Sequence, residues 1–138
     1  MTFLRSFVSY RWLGYVLSIV AVGGCDSGPK SYHLKGSITF QGKPVPAGNI
    51  MFEPDGSQGN EGQPGFAKIK DGKYDTSLEG QGVLGGPHQV RITGYDGIPR
   101  GELLNGIPLF PDYTTTADLP QQDGVQDFEV PASAKSGG

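Results

Sequence analysis

From Tyr32 onward, apolar side chains recur at every second position in short runs, and Gly or Pro closes nearly every run. This pattern constrains the fold more than any other feature, because a period of two puts alternate side chains on opposite faces of a strand. In YHLKGSITF, Leu34, Ile38 and Phe40 share one face, with Gly36 between them, and His33, Lys35, Ser37 and Thr39 share the other. NIMFEP turns Ile50 and Phe52 inward, FAKIK turns Ala67 and Ile69, and KYDTSL turns Tyr74, Thr76 and Leu78. HQVRITGY adds Val90 and Ile92, and VQDFEVP adds Phe128 and Val130. IPLFPDY is broken by proline and amounts to an edge strand at best. No stretch after residue 25 carries the 3.6-residue period of an amphipathic helix.

The connections carry matching turn chemistry. Gln41-Gly42-Lys43-Pro44 is a turn in which Gly42 can take a positive φ. Asp71-Gly72 is a two-residue hairpin signal of the type I′ kind. Residues 55–65, DGSQGNEGQPG, have no apolar side chain and read as a long mobile loop. Six or seven short strands of this kind predict an all-β fold, an antiparallel seven-strand β-sandwich. Its predicted core is Leu34, Ile38, Phe40, Ile50, Phe52, Ile69, Tyr74, Leu78, Val90, Ile92 and Phe128.

Composition narrows the function classes. The chain has 138 residues, room for one domain, and a formal charge of −3, which argues against the basic stripe that nucleic acid requires. Its 23 Gly and 11 Pro fall between the alternating runs and act as turn punctuation. A single Cys rules out an intrachain disulfide framework, and with two His it leaves too few ligands for a structural zinc site. No acidic stretch has the spacing of an EF-hand loop, and no Gly-x-Ser-x-Gly elbow occurs. No cofactor is predicted.

The single Cys sits at the end of an export-type segment. Arg5 and Arg11 give a positive start, and Trp12 to Val22 form an apolar run too short to span a bilayer comfortably. Val22-Gly23-Gly24-Cys25 follows and resembles the lipobox of bacterial lipoproteins. The resemblance implies cleavage before Cys25, diacylglycerol on its sulfur and an acyl chain, such as palmitate, on the new amino group. Several such chains exceed the marginal membrane hold of one, since each buried CH₂ adds about 0.8 kcal/mol. The alternatives are an uncleaved anchor helix, or an ordinary signal peptide with an incidental Cys25. Losing Arg5 and Arg11 with the leader would take the formal charge from −3 to −5. Asp26 at the second mature position resembles an inner-membrane retention signal of enteric bacteria. The predicted organisation is a signal peptide over 1–24, a polar tether over 25–31, the β-domain over 32–131 and a flexible tail over 132–138.

Three stretches carry a wider resemblance. LKGSITFQGKPVPAGNIMFEPDG, AKIKDGKYDTSLEGQGVLGGPHQVRITG and LFPDYTTTADLPQQDGVQDFEV occur in that order. Together they resemble small planctomycete lipoproteins related to carboxypeptidase-regulatory-like and transthyretin-like β-sandwich domains. The likeness covers nearly all of residues 32–131. It implies a fold and an envelope location rather than a defined activity.

Candidate sites are few. A transthyretin-like relative hydrolyses 5-hydroxyisourate, but its C-terminal Tyr-Arg-Gly-Ser motif is replaced here by Ala-Lys-Ser-Gly-Gly. His33 and His88 read as surface or rim residues, able to share a site only if the fold brings them together. Glu53, Asp55, Glu61, Asp123 and Asp127 read as solvated acidic turns, or else as a weak cation site. Tyr95, Leu109, Phe110 and Tyr113 either cap the core under a long connection or face a glycan or protein partner. The expected function is a non-enzymatic, lipid-anchored cell-envelope protein, structural or protein-binding. The alternative is a carbohydrate or small-ligand binding module using loops 54–65 and 94–113.

Overall fold

The computed structural model describes residues 28–136. The leader, Cys25, Asp26 and the last two residues lie outside them. Among the described residues no helix is long and apolar enough to cross a membrane.

Ten strands form one hydrogen-bonded sheet. They are β1 (Leu34–Phe40), β2 (Lys43–Pro44), β3 (Ala47–Pro54), β4 (Gly65–Lys70), β5 (Lys73–Asp75), β6 (Gly80–Gln81), β7 (Gly86–Tyr95), β8 (Tyr113–Leu119), β9 (Gly124–Val125) and β10 (Phe128–Val130). Their order is β10-β1-β5-β4-β3-β7-β8, with β2 and β9 also on β1 and β6 on β4. Every pairing is antiparallel except those of β1 with β9 and β10. The expected β-rich architecture is therefore present and mostly antiparallel, with β8 formed almost wholly outside the runs expected to be strands and three two-residue strands besides.

The hairpins form where the turn signals stand. Asp71 and Gly72 have φ of 52° and 75°, and Gln41 and Gly42 have 51° and 72°. Positive φ at both central residues is the geometry whose twist matches that of the flanking strands.

The sheet is curled. Four steps separate β3 from β10 in the strand order, about 19 Å in a flat sheet at ~4.8 Å per step. Yet the rings of Phe52 on β3 and Phe128 on β10 lie 6.1 Å apart, with Tyr74 of β5 5.8 Å from Phe52. The concave side holds the core. Leu34, Ile38, Phe40, Ile50, Phe52, Ile69, Tyr74, Val90 and Ile92 are buried, and half-buried Phe128 packs against them. The Tyr74 hydroxyl donates to the Gln126 carbonyl at 2.7 Å. Burial, and then the Asp127 carboxylate, push its phenol pKa up.

Several expectations need correction. Leu78 is 79% exposed instead of inward. The Asp75 carboxylate accepts from the Ser77 N–H and hydroxyl, which turns the chain and ends β5 before Leu78. Thr76 stays buried because its hydroxyl accepts the Leu34 N–H. Val45, Val83 and Phe110 join the core from Pro- and Gly-rich connections that carry no alternation to betray them, and Leu119 joins it from the end of β8. IPLFPDY supplies only Tyr113 to a strand. The strand begins there, past Pro108 and Pro111, where three β-branched Thr follow. Ala132–Ser136 is a 3-10 turn, with Ala134 against the core.

Candidate functional site

Strands β1, β4 and β7 run the same way, since each adjacent pair along β1-β5-β4-β3-β7 is antiparallel. Leu34 and Gly86 therefore mark one end of the sheet, and Phe40 and Tyr95 the other. The chain enters at the first end. At the second, residues 96–112 link β7 to β8.

This long link is stapled by one side chain. Asp96 Oδ1 accepts the Ile98 and Ile107 N–H groups at 3.0 and 3.2 Å, and Oδ2 accepts from Arg100 at 2.8 Å. Asp96 N–H donates to the Ile107 carbonyl, Gly97 N–H to that of Asn105, and Arg100 and Leu103 exchange both main-chain bonds. Gly106 has φ 84°, and a Cβ there would overlap Asp96 Oδ1, so only glycine leaves room for the carboxylate. The base of the loop is anchored by Leu109 N–H on the Gly94 carbonyl and by the Phe110 ring, 4.9 Å from that of Phe40. A Cβ on Gly94 would stand 2.6 Å from Phe110 Cζ, so this glycine makes space for the anchor.

The staple displays aliphatic side chains. Ile98, Leu103, Leu104 and Ile107 are 56, 54, 76 and 47% exposed. Four large apolar side chains are thus held out to solvent on one pinned loop. The aromatic candidates behave otherwise. Phe110 is buried and Leu109 and Tyr113 pack partly against the core, so these three cap it, while half-buried Tyr95 lies on the other face of β7. The sequence reading missed the exposed four. The readable signal was GELLNG, in which adjacent leucines stand between glycines with no alternation to bury them.

The Ile98 N–H first, then Arg100 and the Ile107 N–H, hold the Asp96 carboxyl below its ordinary 3.8. A depressed folded value means the staple is fully present above 3.8 and is lost as pH falls through the folded value. Asp96→Ala is therefore expected to speed proteolytic cleavage within residues 98–107 at pH 7, with the far-ultraviolet spectrum unchanged. Wild-type protein should show the same sensitivity to an acid protease only well below pH 3.8, once the lowered carboxyl is protonated. Equal cleavage of variant and wild type at pH 7 would show that Asp96 does not hold the loop.

The other loop lies at the opposite end of β7. Asp55 accepts from Ser57 N–H, the Ser57 hydroxyl and Gln58, and caps a 3-10 turn over Gly56–Gln58. The Ser57 hydroxyl first, then Gln58, hold its carboxyl low. Asn60 Nδ2 donates to the Pro87 and Gly85 carbonyls at 2.7 and 3.1 Å. The first half of this segment is thus fastened to the start of β7, contrary to the mobile loop expected. Loops 54–65 and 94–113 stand about 30 Å apart at the two ends of this ten-residue strand. They do not form one surface.

His88 is also corrected, from rim to core. It is 1% exposed, because β7 turns residues 88, 90 and 92 inward together. Its Nδ1–H donates to the Gly86 carbonyl at 2.8 Å, and its Nε2 has no protein partner. His33 is exposed at the start of β1, with its N–H on Asp123, and lines a different cleft. The acidic candidates are mostly fasteners. Asp123 holds His33 N–H and Asp127 holds Ser37 N–H, Glu53 lies 3.9 Å from Arg91, and Glu61 is exposed. Among the described residues no group of three His, Cys, Asp or Glu is placed to hold a metal ion.

No family model matches the chain, and no curated protein matches it.

Proposed function

We propose that this chain is a non-enzymatic, lipid-anchored protein of the bacterial cell envelope that binds a partner protein through the 96–112 loop. The observation that carries the reading is the pinned display of Ile98, Leu103, Leu104 and Ile107 at the end of the sheet opposite the chain's entry. A membrane tether over 25–31 leaves that loop free to meet a partner. The anchor itself rests on the Val22-Gly23-Gly24-Cys25 lipobox after a short apolar run. We read the curled sheet as a transthyretin-like β-sandwich, of the kind in planctomycete lipoproteins with carboxypeptidase-regulatory-like domains. The facing of β3 and β10 across the core supports that reading. The non-enzymatic assignment is supported by Asp55, Asp75, Asp96 and Asp127, each of which accepts a main-chain N–H.

Two measurements test it. Intact mass of protein extracted from its native membrane should equal residues 25–138 plus diacylglycerol and acyl groups, and Cys25→Ser should move the protein from the detergent phase to the aqueous phase. Unlipidated mass, or unchanged partitioning of the variant, would remove the anchor. A photo-crosslinker at Leu104 should capture one discrete protein. Leu103→Ser should weaken that capture, and the same probe at Gln63 should not give it. Equal capture from both positions would remove the partner site.

A further inference from the structure

The strand order ends at β8, and the main-chain bonding fixes which of its groups face outward. The Asp55 N–H bonds the Pro87 carbonyl at 3.0 Å, so on β7 the odd-numbered residues point toward β3. Leu109 N–H on the Gly94 carbonyl agrees, with even-numbered residues pointing the other way. In the β7–β8 register Gly86, His88, Val90 and Ile92 face Leu119, Ala117, Thr115 and Tyr113. These four residues of β8 therefore bond to β7. Thr114, Thr116 and Asp118 direct their N–H and C=O groups away from the sheet, and among the described residues no main-chain group meets them.

Natural sheets blunt such an edge with lysine, proline, a bulge or brevity. The opposite terminal strand, β10, has only three residues. β8 has seven residues, YTTTADL, with no Lys, Pro or Gly and one charge. It is an undefended template for another strand.

We propose that two copies of this chain pair through β8, antiparallel, about a two-fold axis at Thr116. That axis makes Thr116 face Thr116 and Thr114 face Asp118 twice over. All three are hydrogen-bonded pairs, about six main-chain bonds at two per pair. An axis at Thr115 or Ala117 keeps only two such pairs. The side chains fit the same register. Asp118 faces the Thr114 hydroxyl, so no charge meets its like. It also falls in the cross-strand row of Arg91, which neighbours Thr114 on β7. On the other face Tyr113 meets Leu119. One strand pair buries less than a stable soluble interface needs, so the pairing is reversible and favoured where copies are concentrated. The end of the sheet at which the chain enters in one copy then lies level with the 96–112 end of the other. Tethers of residues 25–31, up to ~24 Å each, allow both to reach one membrane.

Cysteine crosslinking of the full chain in its native membrane reads the register. In a hydrogen-bonded antiparallel pair the Cα atoms lie about 5.5 Å apart, within disulfide range. Thr116→Cys should give a disulfide-linked dimer under mild oxidation. Thr114→Cys should not, because its copy lies about 13 Å away along the strand. Thr114→Cys with Asp118→Cys should link again. Adding Thr116→Pro should abolish that link without unfolding the domain, since the N–H it removes points outward. Linking of Thr114→Cys as readily as Thr116→Cys, or of neither Thr116→Cys nor the double variant, would overturn the pairing. Wild type under the same oxidation reports on Cys25 alone. A wild-type dimer would show a free thiol there and count against the anchor, not against β8.

Discussion

Phe52→Ala is expected to lower the unfolding free energy by about 3–5 kcal/mol, the range for removing a large aromatic from a packed core. Phe52 is fully buried on β3, and its ring meets Tyr74 and Phe128 at tilted angles, with those two rings 6.4 Å from each other. The three come from strands well apart in the sheet order, so Phe52 is where the curl closes. Removing it leaves a cavity that neither rigid ring can fill, and forfeits aromatic contacts of about 0.5–1.5 kcal/mol. A domain of this size holds about 5–15 kcal/mol in all. The loss should appear as a fall in Tm of more than about 10 °C and a lower urea midpoint with unchanged slope. Leu78→Ala is the control. As an exposed turn residue it should change stability by no more than about 0.5 kcal/mol. If the two variants lost equal stability, the core described above would be wrong.

Gly48→Ala should be nearly as damaging for a different reason. Gly48 lies in β3, between β4 and β7, paired with Ile69 on one side and Gly94 on the other. A Cβ at Gly48 would overlap the Thr93 carbonyl oxygen and come within 3.1 Å of Gly94 Cα. Both obstacles are main chain in the middle of a sheet, so neither can rotate aside. We expect a loss of about 2–3 kcal/mol, at the upper end for overpacking. Gly56→Ala meets nothing within 4 Å and should be neutral or slightly stabilising. Equal urea midpoints for the two variants would show that β3 and β7 can separate at Gly48.

Comparing these positions shows how far the chain can be read without its fold. Phe52, Ile50, Val90 and Ile92 were legible as core because each lies in an alternating run, where a local period of two dictates the face. Asp71-Gly72 was legible as a hairpin because its φ angles are a property of two residues. Gly48 stands just before the alternating NIMFEP run, but the need for glycine there comes from Thr93, 45 positions away. Leu78 was misread because a side-chain bond from Asp75 to Ser77 interrupts the alternation that the apolar pattern continues. The candidate site was the least legible part. The long Gly/Pro-rich segment before the last strands was recognisable as a place for function, yet the residues singled out were its core-facing anchors. Ile98, Leu103, Leu104 and Ile107 became the exposed set only when Asp96 closed its three bonds.

The sequence by itself determined that this chain is built of short strands, where most of them turn, and which side of each faces inward. It did so because strand periodicity and turn conformation are set by neighbours in the chain. The tertiary structure alone decided that the strands join one curled sheet, that β8 stands at its open edge, and that the 96–112 loop presents four aliphatic side chains. Those outcomes depend on hydrogen bonds and packing between residues far apart in the chain, for which no local pattern exists.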